Sequence, residues 1–392
     1  MNKAISKLLI MAVIILAVVS LDLKINLFPS ATVSNEEAAM RQTDELERLE
    51  LEIAEHFKAR SEHFSVSYTG DKQELSDKMT EIVRAALGHD DYTAYILESY
   101  IYTIRSWGNR STIAIEARYR ESLEQTAAVD REAAKALAAI IEPGMNDHEK
   151  VKAIHDWIVT NVEYDQSLTR YTAYDAVTSG KAVCQGYSLL GYKMLKESGI
   201  PVLIAEGTVN TGEHAWNMVQ LDGKWYHLDL TWDDPVTKTD SAGGAAAPVS
   251  KSTDNVVRYN YYLKTDEELR TDHGWTKTYP AADTVYADVI RELEQQGEKA
   301  ERERFGKLKL ALGLHWLEPE YTVSDAEQLR TLIASALKSR ASSLEFRYVE
   351  GDRFPEALKA AFRDVSVAAG YRASYEPFGS DDSLLVRIQL EY

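Results

Sequence analysis

The sequence predicts an α+β fold, on three observations. A helix-like stretch from Gln185 to Ser198 is followed by three strand-like runs, Val202 to Thr208, His214 to Gln220 and Lys224 to Thr231. Asp222-Gly223 separates the last two runs. Asp-Gly between strand runs is a strong two-residue hairpin signal, so this ribbon is antiparallel. Finally, a strand-helix-strand-strand pattern occurs on both sides of the central block.

The elements follow in chain order. Lys3 and Lys7 precede an apolar run, Leu8 to Val19. Such a run suits a signal-peptide core better than a full membrane span. No Ala-x-Ala follows, so residues 1–30 are expected to be either a cleaved signal peptide or an N-terminal membrane anchor, with the body extracytoplasmic. Residues 31–60 are acidic and rich in Glu, Leu and Ala, and read as an amphipathic helix or stalk. Residues 61–142 read as an N-terminal α/β module. Its strands are His63 to Tyr68, Ser99 to Ile104 and Thr112 to Tyr119, and its helices Asp71 to Leu87 and Leu123 to Ile141, the latter ended by Pro143-Gly144.

A central block, residues 145–280, opens with a helix from Glu149 to Val162, capped by Asn146 or Asp147. In the next helix Tyr187, Leu190, Met194 and Leu195 have helical spacing, and Gly199 with Pro201 stops it. Thr237 to Asp254, rich in Ser, Thr, Gly, Ala and Asp, reads as a flexible loop. Val285 to Leu312 reads as one long charged helix, so residues 285–320 are expected to connect the core to a C-terminal α/β module, 321–392.

The two flanks resemble each other. Ser61 to Asp71 matches Ser342 to Asp352 in pattern, and Ser111 to Tyr119 matches Ser383 to Tyr392. Two readings follow: a duplicated β-α-β-β unit, or two modules alike by pattern alone. Neither copy carries a nucleophile or metal cluster, so both are expected to serve as scaffold or substrate-recognition modules.

Bulk composition narrows the function. The chain has 392 residues, enough for two or three domains, and a net charge of -18. That charge repels phosphate, so nucleic acid is not an expected partner. A single cysteine, Cys184, excludes an intramolecular disulfide. No zinc pattern, phosphate-cradling glycine loop or dinucleotide fingerprint occurs, so no metal or cofactor is expected.

Three residue types that work together in acyl transfer occur in order: Cys184, His214 and Asp229. Cys184 lies at or just before the first turn of its helix, where unpaired N–H groups favour an anion. With Asp222 and Gly223 at the centre of the turn, paired residue numbers across the hairpin sum to 445. Trp216 then faces Asp229, and His214 is a diagonal neighbour of Asp229 on one face. A one-residue slip would separate them. The register brings an imidazole to a carboxylate that can orient it. It does not by itself bring Cys184 to either.

Residues from about 147 to 275 resemble the bacterial transglutaminase-like domain of the papain-like superfamily. The motifs that carry the resemblance are Tyr174-Asp-Ala176, Gly180-Lys-Ala-Val-Cys-Gln-Gly-Tyr187, Gly199-Ile-Pro201, His214-Ala-Trp-Asn217 and Asp229-Leu-Thr-Trp-Asp-Asp234. Downstream, Tyr261-Tyr-Leu263 and Asp272-His-Gly-Trp275 also match. The resemblance implies a papain-like core with Cys184 as nucleophile, His214 as base and Asp229 as its orienter.

Other residues have competing readings. His227 shares the face of Asp229 and is the internal rival to His214 as base. Asn217 points away from His214. Trp216 and Trp232 read as core or cleft wall. Asp233 and Asp234 are too few ligands for a cation site and read as turn caps. His155 shares an apolar face with Val151, Ile154 and Ile158 and reads as a satisfied core residue. His273 matches the family without a derivable role. The Cys184 N–H is expected to be one oxyanion donor. There is no Gln six residues before it, so a second donor is not identifiable.

The expected activity is acyl transfer at an amide through a thioester, on a protein or peptide substrate such as a cell-envelope component. Hydrolysis is favoured over cross-linking to an amine. The contrasting reading is a non-catalytic scaffold that retains the three residues.

Overall fold

Leu221 faces Lys224 across a turn whose two central residues, Asp222 and Gly223, have φ of 51° and 77°. Two positive φ values mark the turn type whose twist matches antiparallel strands. This computed structural model describes residues 35–234, 257–363, 370–379 and 381–392. The N-terminal segment 1–30 and the Thr237–Asp254 loop expected from the sequence lie outside the described residues. Among the described residues, no helix is long and apolar enough to cross a membrane.

The chain forms two compact units. One holds the N-terminal part up to His56, Phe64–Ala86 and Tyr102–Ile115. Its buried side chains include Leu49, Ile53, Val66, Leu75, Met79, Val83 and Ile113. The helix Asn35–Lys58 therefore buries an apolar face rather than standing as a bare stalk. The other unit holds Phe57–His63, Leu87–Ile101 and Glu116–Tyr392.

At the centre of the second unit is a three-stranded antiparallel sheet in the order β6-β7-β8: Val202–Val209, Gly212–Leu221 and Lys224–Leu228. The helix Cys184–Glu197 buries Tyr187, Leu189, Leu190, Met194 and Leu195 in one core with Val219, Tyr226 and Leu228 of the sheet. A short parallel pair, β4 (Glu163–Tyr164) and β5 (Lys181–Ala182), fixes the approach to that helix. The β7–β8 register is the one the turn predicted, from Leu221↔Lys224 to Asn217↔Leu228. The ladder then stops. Asp229 N–H donates instead to the Tyr261 carbonyl, so the strand ends three residues before Thr231.

Two sequence boundaries are redrawn. Val285–Leu312 is not one helix but two, Tyr286–Gln295 and Lys299–Ala311. Gly297 at φ 88° breaks it. Tyr286, Ile290, Phe305 and Leu308 are buried in the central core, so this segment is part of that core rather than a connector. The helix Leu123–Ile140 also packs there, through Val129, Ala133 and Leu137, although the sequence grouped it with the N-terminal module.

Residues 322–392 have their own core around Ile333, Phe346, Tyr348, Phe354 and Val386. Their sheet runs β11-β12-β10-β9, with β9 Thr322–Val323, β10 Ser343–Tyr348, β11 Gly370–Pro377 and β12 Leu384–Glu391. At the other end, β1 (His63–Thr69), β2 (Leu97–Trp107) and β3 (Arg110–Tyr119) are ordered β1-β3-β2. With β9 set aside, the last strand in both segments lies between the other two, β3 between β1 and β2 and β12 between β10 and β11, and a helix follows β1 and β10. The two flanks thus share connectivity and strand order; β9 is an addition to the second.

Candidate active site

Cys184 is the first residue of its helix, and it is half-buried. Val183, in extended conformation, precedes it, and no side chain caps the helix start. The first-turn N–H groups are thus left without a competing side-chain acceptor. Two backbone bonds hold the lead-in: Val183 N–H to the Arg170 carbonyl (2.8 Å) and Asp165 N–H to the Ala182 carbonyl (2.9 Å). The Gln185 side chain is not a spare oxyanion donor, because its Nε2 donates to the Tyr95 carbonyl. Tyr164 lies close enough to feel Cys184: burial first, then the electrostatic influence of Cys184, pushes its hydroxyl up to about 12.

The sheet reaches this helix through small contacts. Asn217, on the opposite face of β7 from His214, donates to the Ser188 carbonyl at 3.0 Å. A side chain at Gly191 would collide with the Asn217 amide and Leu230, so glycine there lets helix and strand close up.

His214 and Asp229 are joined by a 2.7 Å hydrogen bond between Nε2 and Oδ2. Both are buried, Asp229 fully. Cys184 lies near enough to favour the charged form of the imidazole, after Asp229. The structure thus brings Cys184, His214 and Asp229 together. Burial opposes charge on the imidazole, but Asp229 and then Cys184 outweigh it, and His214 is pushed up to about 10. Burial also opposes ionisation of Asp229, yet His214 and His273 hold its carboxyl well below the usual carboxylate range.

Asp229 does more than orient one ring. Its Oδ1 accepts from Thr231 N–H (3.0 Å) and Trp232 N–H (3.2 Å). Its Oδ2 is shared by His214 and by His273, whose Nε2 lies 3.0 Å away. His273 Nδ1 in turn lies 2.6 Å from Asp272 Oδ1. The ligand atoms of His214, Asp229 and His273 fall within 4.8 Å of one another. Both imidazoles direct Nε2 at one oxygen at hydrogen-bond length, so the three are linked as donors and acceptor. The role of His273 is not legible in the sequence, because its link to Asp229 spans 44 residues outside any predicted ladder.

The remaining candidates fall elsewhere. His227 accepts from Trp216 Nε1 (2.9 Å) and pairs with Asp266 (2.8 Å), so both ring nitrogens are committed. Trp216 is core, while Trp232 is partly exposed and packs on His273 with ring centroids 4.6 Å apart. His155 is a satisfied core residue, between Asp156 (3.1 Å) and Asp233 (3.0 Å). Asp233 and Asp234 are not simple turn caps. Asp233 accepts from Tyr261 N–H at 2.9 Å, and Asp234 accepts from Tyr187 (2.6 Å) and Tyr164 N–H (3.1 Å). With His155 included, they staple the segment after Asp229 to four other places in the chain.

Residues 134–230 match the family model of the transglutaminase-like superfamily. The chain carries a transglutaminase-like domain. Kyphoscoliosis peptidase of Mus musculus is 28% identical over 118 residues, covering 26% of this chain and 18% of that protein. The Homo sapiens protein of the same name matches with the same identity and coverage. The chain spans less than a fifth of the length of these curated relatives. A crystal structure of a TGase aligns at TM-score 0.27 and 14% identity, covering 49% of this chain and 56% of that one. The transglutaminase-like domain includes all three predicted site residues, whereas His273 lies beyond the matched stretch.

Proposed function

We propose that this protein is an exported thiol acyl-transfer enzyme that hydrolyses amide bonds in a protein or peptide substrate. The observation that carries the reading is the Asp229–His214 hydrogen bond, with a cysteine on an uncapped helix start near enough to act on the same imidazole. In this reading His214 takes the Cys184 proton and the sulfur attacks the amide carbonyl. First-turn N–H groups, beginning with that of Cys184, receive the developing oxyanion. His214 returns the proton to the leaving amine, and a thioester remains. Water, deprotonated by His214, then releases the acid and regenerates the thiol.

The same residues would transfer the acyl group to an amine, giving a cross-linking enzyme. Hydrolysis is preferred because cross-linking needs a site that keeps water from the thioester, and Cys184 is partly open to solvent. The relatives named as peptidases point the same way. The test is incubation of the full chain with a glutamine-containing protein and a labelled primary amine, read by mass spectrometry. Cleavage that vanishes in Cys184→Ala supports hydrolysis. Amine incorporation without cleavage, also dependent on Cys184, supports cross-linking. No thioester, cleavage or incorporation across a broad substrate panel returns the protein to the scaffold reading.

A further inference from the structure

His273 lies between two carboxylates, Asp229 at 3.0 Å and Asp272 at 2.6 Å, one on each ring nitrogen. An ionised carboxylate only accepts hydrogen bonds, so each nitrogen facing one must carry a hydrogen. Both nitrogens protonated means a cation. The side chain of His273 is fully buried, so this cation is held inside the protein, with its ring 5.3 Å from that of His214. Tyr261 donates to the other oxygen of Asp272 at 2.6 Å and fixes the outer carboxylate.

We infer that His273 is a positioning residue of the proposed acyl-transfer site, a buried imidazolium that shares Asp229 with His214 and limits how tightly Asp229 holds the His214 proton. This deepens the acyl-transfer reading and rests on it. Asp229 alone would bind the His214 proton strongly, and a base that cannot give its proton to the leaving amine is a poor acid. Acid–base catalysis is best when the group titrates near the working pH. A second cation on the same carboxylate oxygen offsets part of that pull. It also fills the last acceptor position of Asp229, whose four hydrogen bonds then fix the carboxylate in one plane.

The charged and titratable groups around His273 are consistent with this role. Asp229 faces it from the segment after β8, His214 from β7, His227 from β8, and Tyr261 and Asp272 from its own side of the core. Burial opposes its charge, while Asp229 and Asp272 raise its affinity for a proton and His214 lowers it. The repulsion between the two imidazoles runs both ways, which is the coupling the inference needs.

The test uses the full chain in a Cys184→Ala background, which removes the thiolate's contribution to His214. Nitrogen NMR of the imidazoles should show both nitrogens of His273 protonated at neutral pH. His273→Gln keeps an N–H donor but carries no charge. It should raise the His214 titration by about one unit, the scale of one near charge. In the Cys184 protein, His273→Ala should lower turnover by about ten- to a hundred-fold, with His273→Gln recovering part of it. A neutral His273, or an unmoved His214 titration in folded His273→Gln, overturns the inference. Iodoacetamide alkylation of Cys184 keeps the two readings apart. If His214 shifts as expected but the thiol shows no His214-dependent reactivity, the coupling stands and acyl transfer falls.

Discussion

Gly207 pairs with His214 across the sheet, and the Gly274 carbonyl occupies the space that a side chain at position 207 would need. Thr208 and Gly274 exchange two backbone hydrogen bonds, 2.7 and 2.8 Å, on the same edge. The absence of a side chain at Gly207 is what lets the Asp272–Gly274 segment reach Asp229. Gly207→Ala should push that segment outward at a cost of about 1–3 kcal/mol. Thermal unfolding and hydrogen exchange at the Thr208 and Gly274 amides check this; unchanged protection of both would refute it.

Asp229→Asn should remove activity far beyond what a lost hydrogen bond explains. The amide carries no charge to support an imidazolium and favours the wrong tautomer, an effect of about four orders of magnitude in a comparable triad. The variant also leaves two imidazoles facing an uncharged group in a dry site. A loss of about 3–5 kcal/mol in stability is expected. Turnover and denaturant unfolding report the two losses separately.

Alkaline pH should weaken the fold through His214. Its pKa is raised in the folded protein, to about 10, above the ordinary value of about 6.5 for the unfolded chain. The stabilisation is therefore fully present below about pH 6.5 and is lost as pH rises through about 10. Unfolding free energy measured from pH 6 to 10.5 should fall along that range. The fall should be much smaller in His214→Ala; equal slopes would contradict the assignment.

Gly223→Ala should cost about 1 kcal/mol, because φ of 77° is strained for any residue with a side chain. The same turn is tied from outside: Asp222 accepts from His148 at 2.9 Å, and His148 contacts the Tyr286 hydroxyl at 3.1 Å. Asp222→Ala should thus lower the melting temperature while leaving thiol reactivity intact. Loss of Cys184 alkylation in that variant would mean the turn reaches further into the site than its contacts imply.

His227→Ala should leave Cys184 alkylation nearly unchanged, whereas His214→Ala should suppress it. His227 is consumed by Trp216 and Asp266. Burial, the largest influence on it, also lowers its affinity for a proton. Comparable losses in the two variants would reopen the choice of base.

The parts of the site that were legible in the sequence share one property: each is fixed by short-range rules. The hairpin register follows from two turn residues, and with it the His214–Asp229 pairing. The start of the Cys184 helix follows from local apolar spacing. What could not be read depends on long-range closure. His273 arrives through a bridge between Thr208 and Gly274. Asp233 and Asp234 have carboxylates in the Asp-Asp pattern of a capped turn, but their partners lie far away in sequence. The break at Gly297 is masked in the sequence because charged residues on both sides keep helical spacing through it; the glycine alone marks the turn. The strand-helix-strand-strand connectivity shared by the two flanks is visible as pattern, because connectivity is written locally; their common strand order is set by long-range pairing and is seen only in the structure.

Asp229 ties together four hydrogen bonds from four residues, two of them in the backbone that follows it. Selection for a folded protein would therefore retain this carboxylate even in a descendant that no longer turned over any substrate. Cys184 is half open, and among the described residues no comparable web hangs from its sulfur. Among relatives of this chain, the cysteine rather than the aspartate is the position at which a lapse of chemistry would first be recorded.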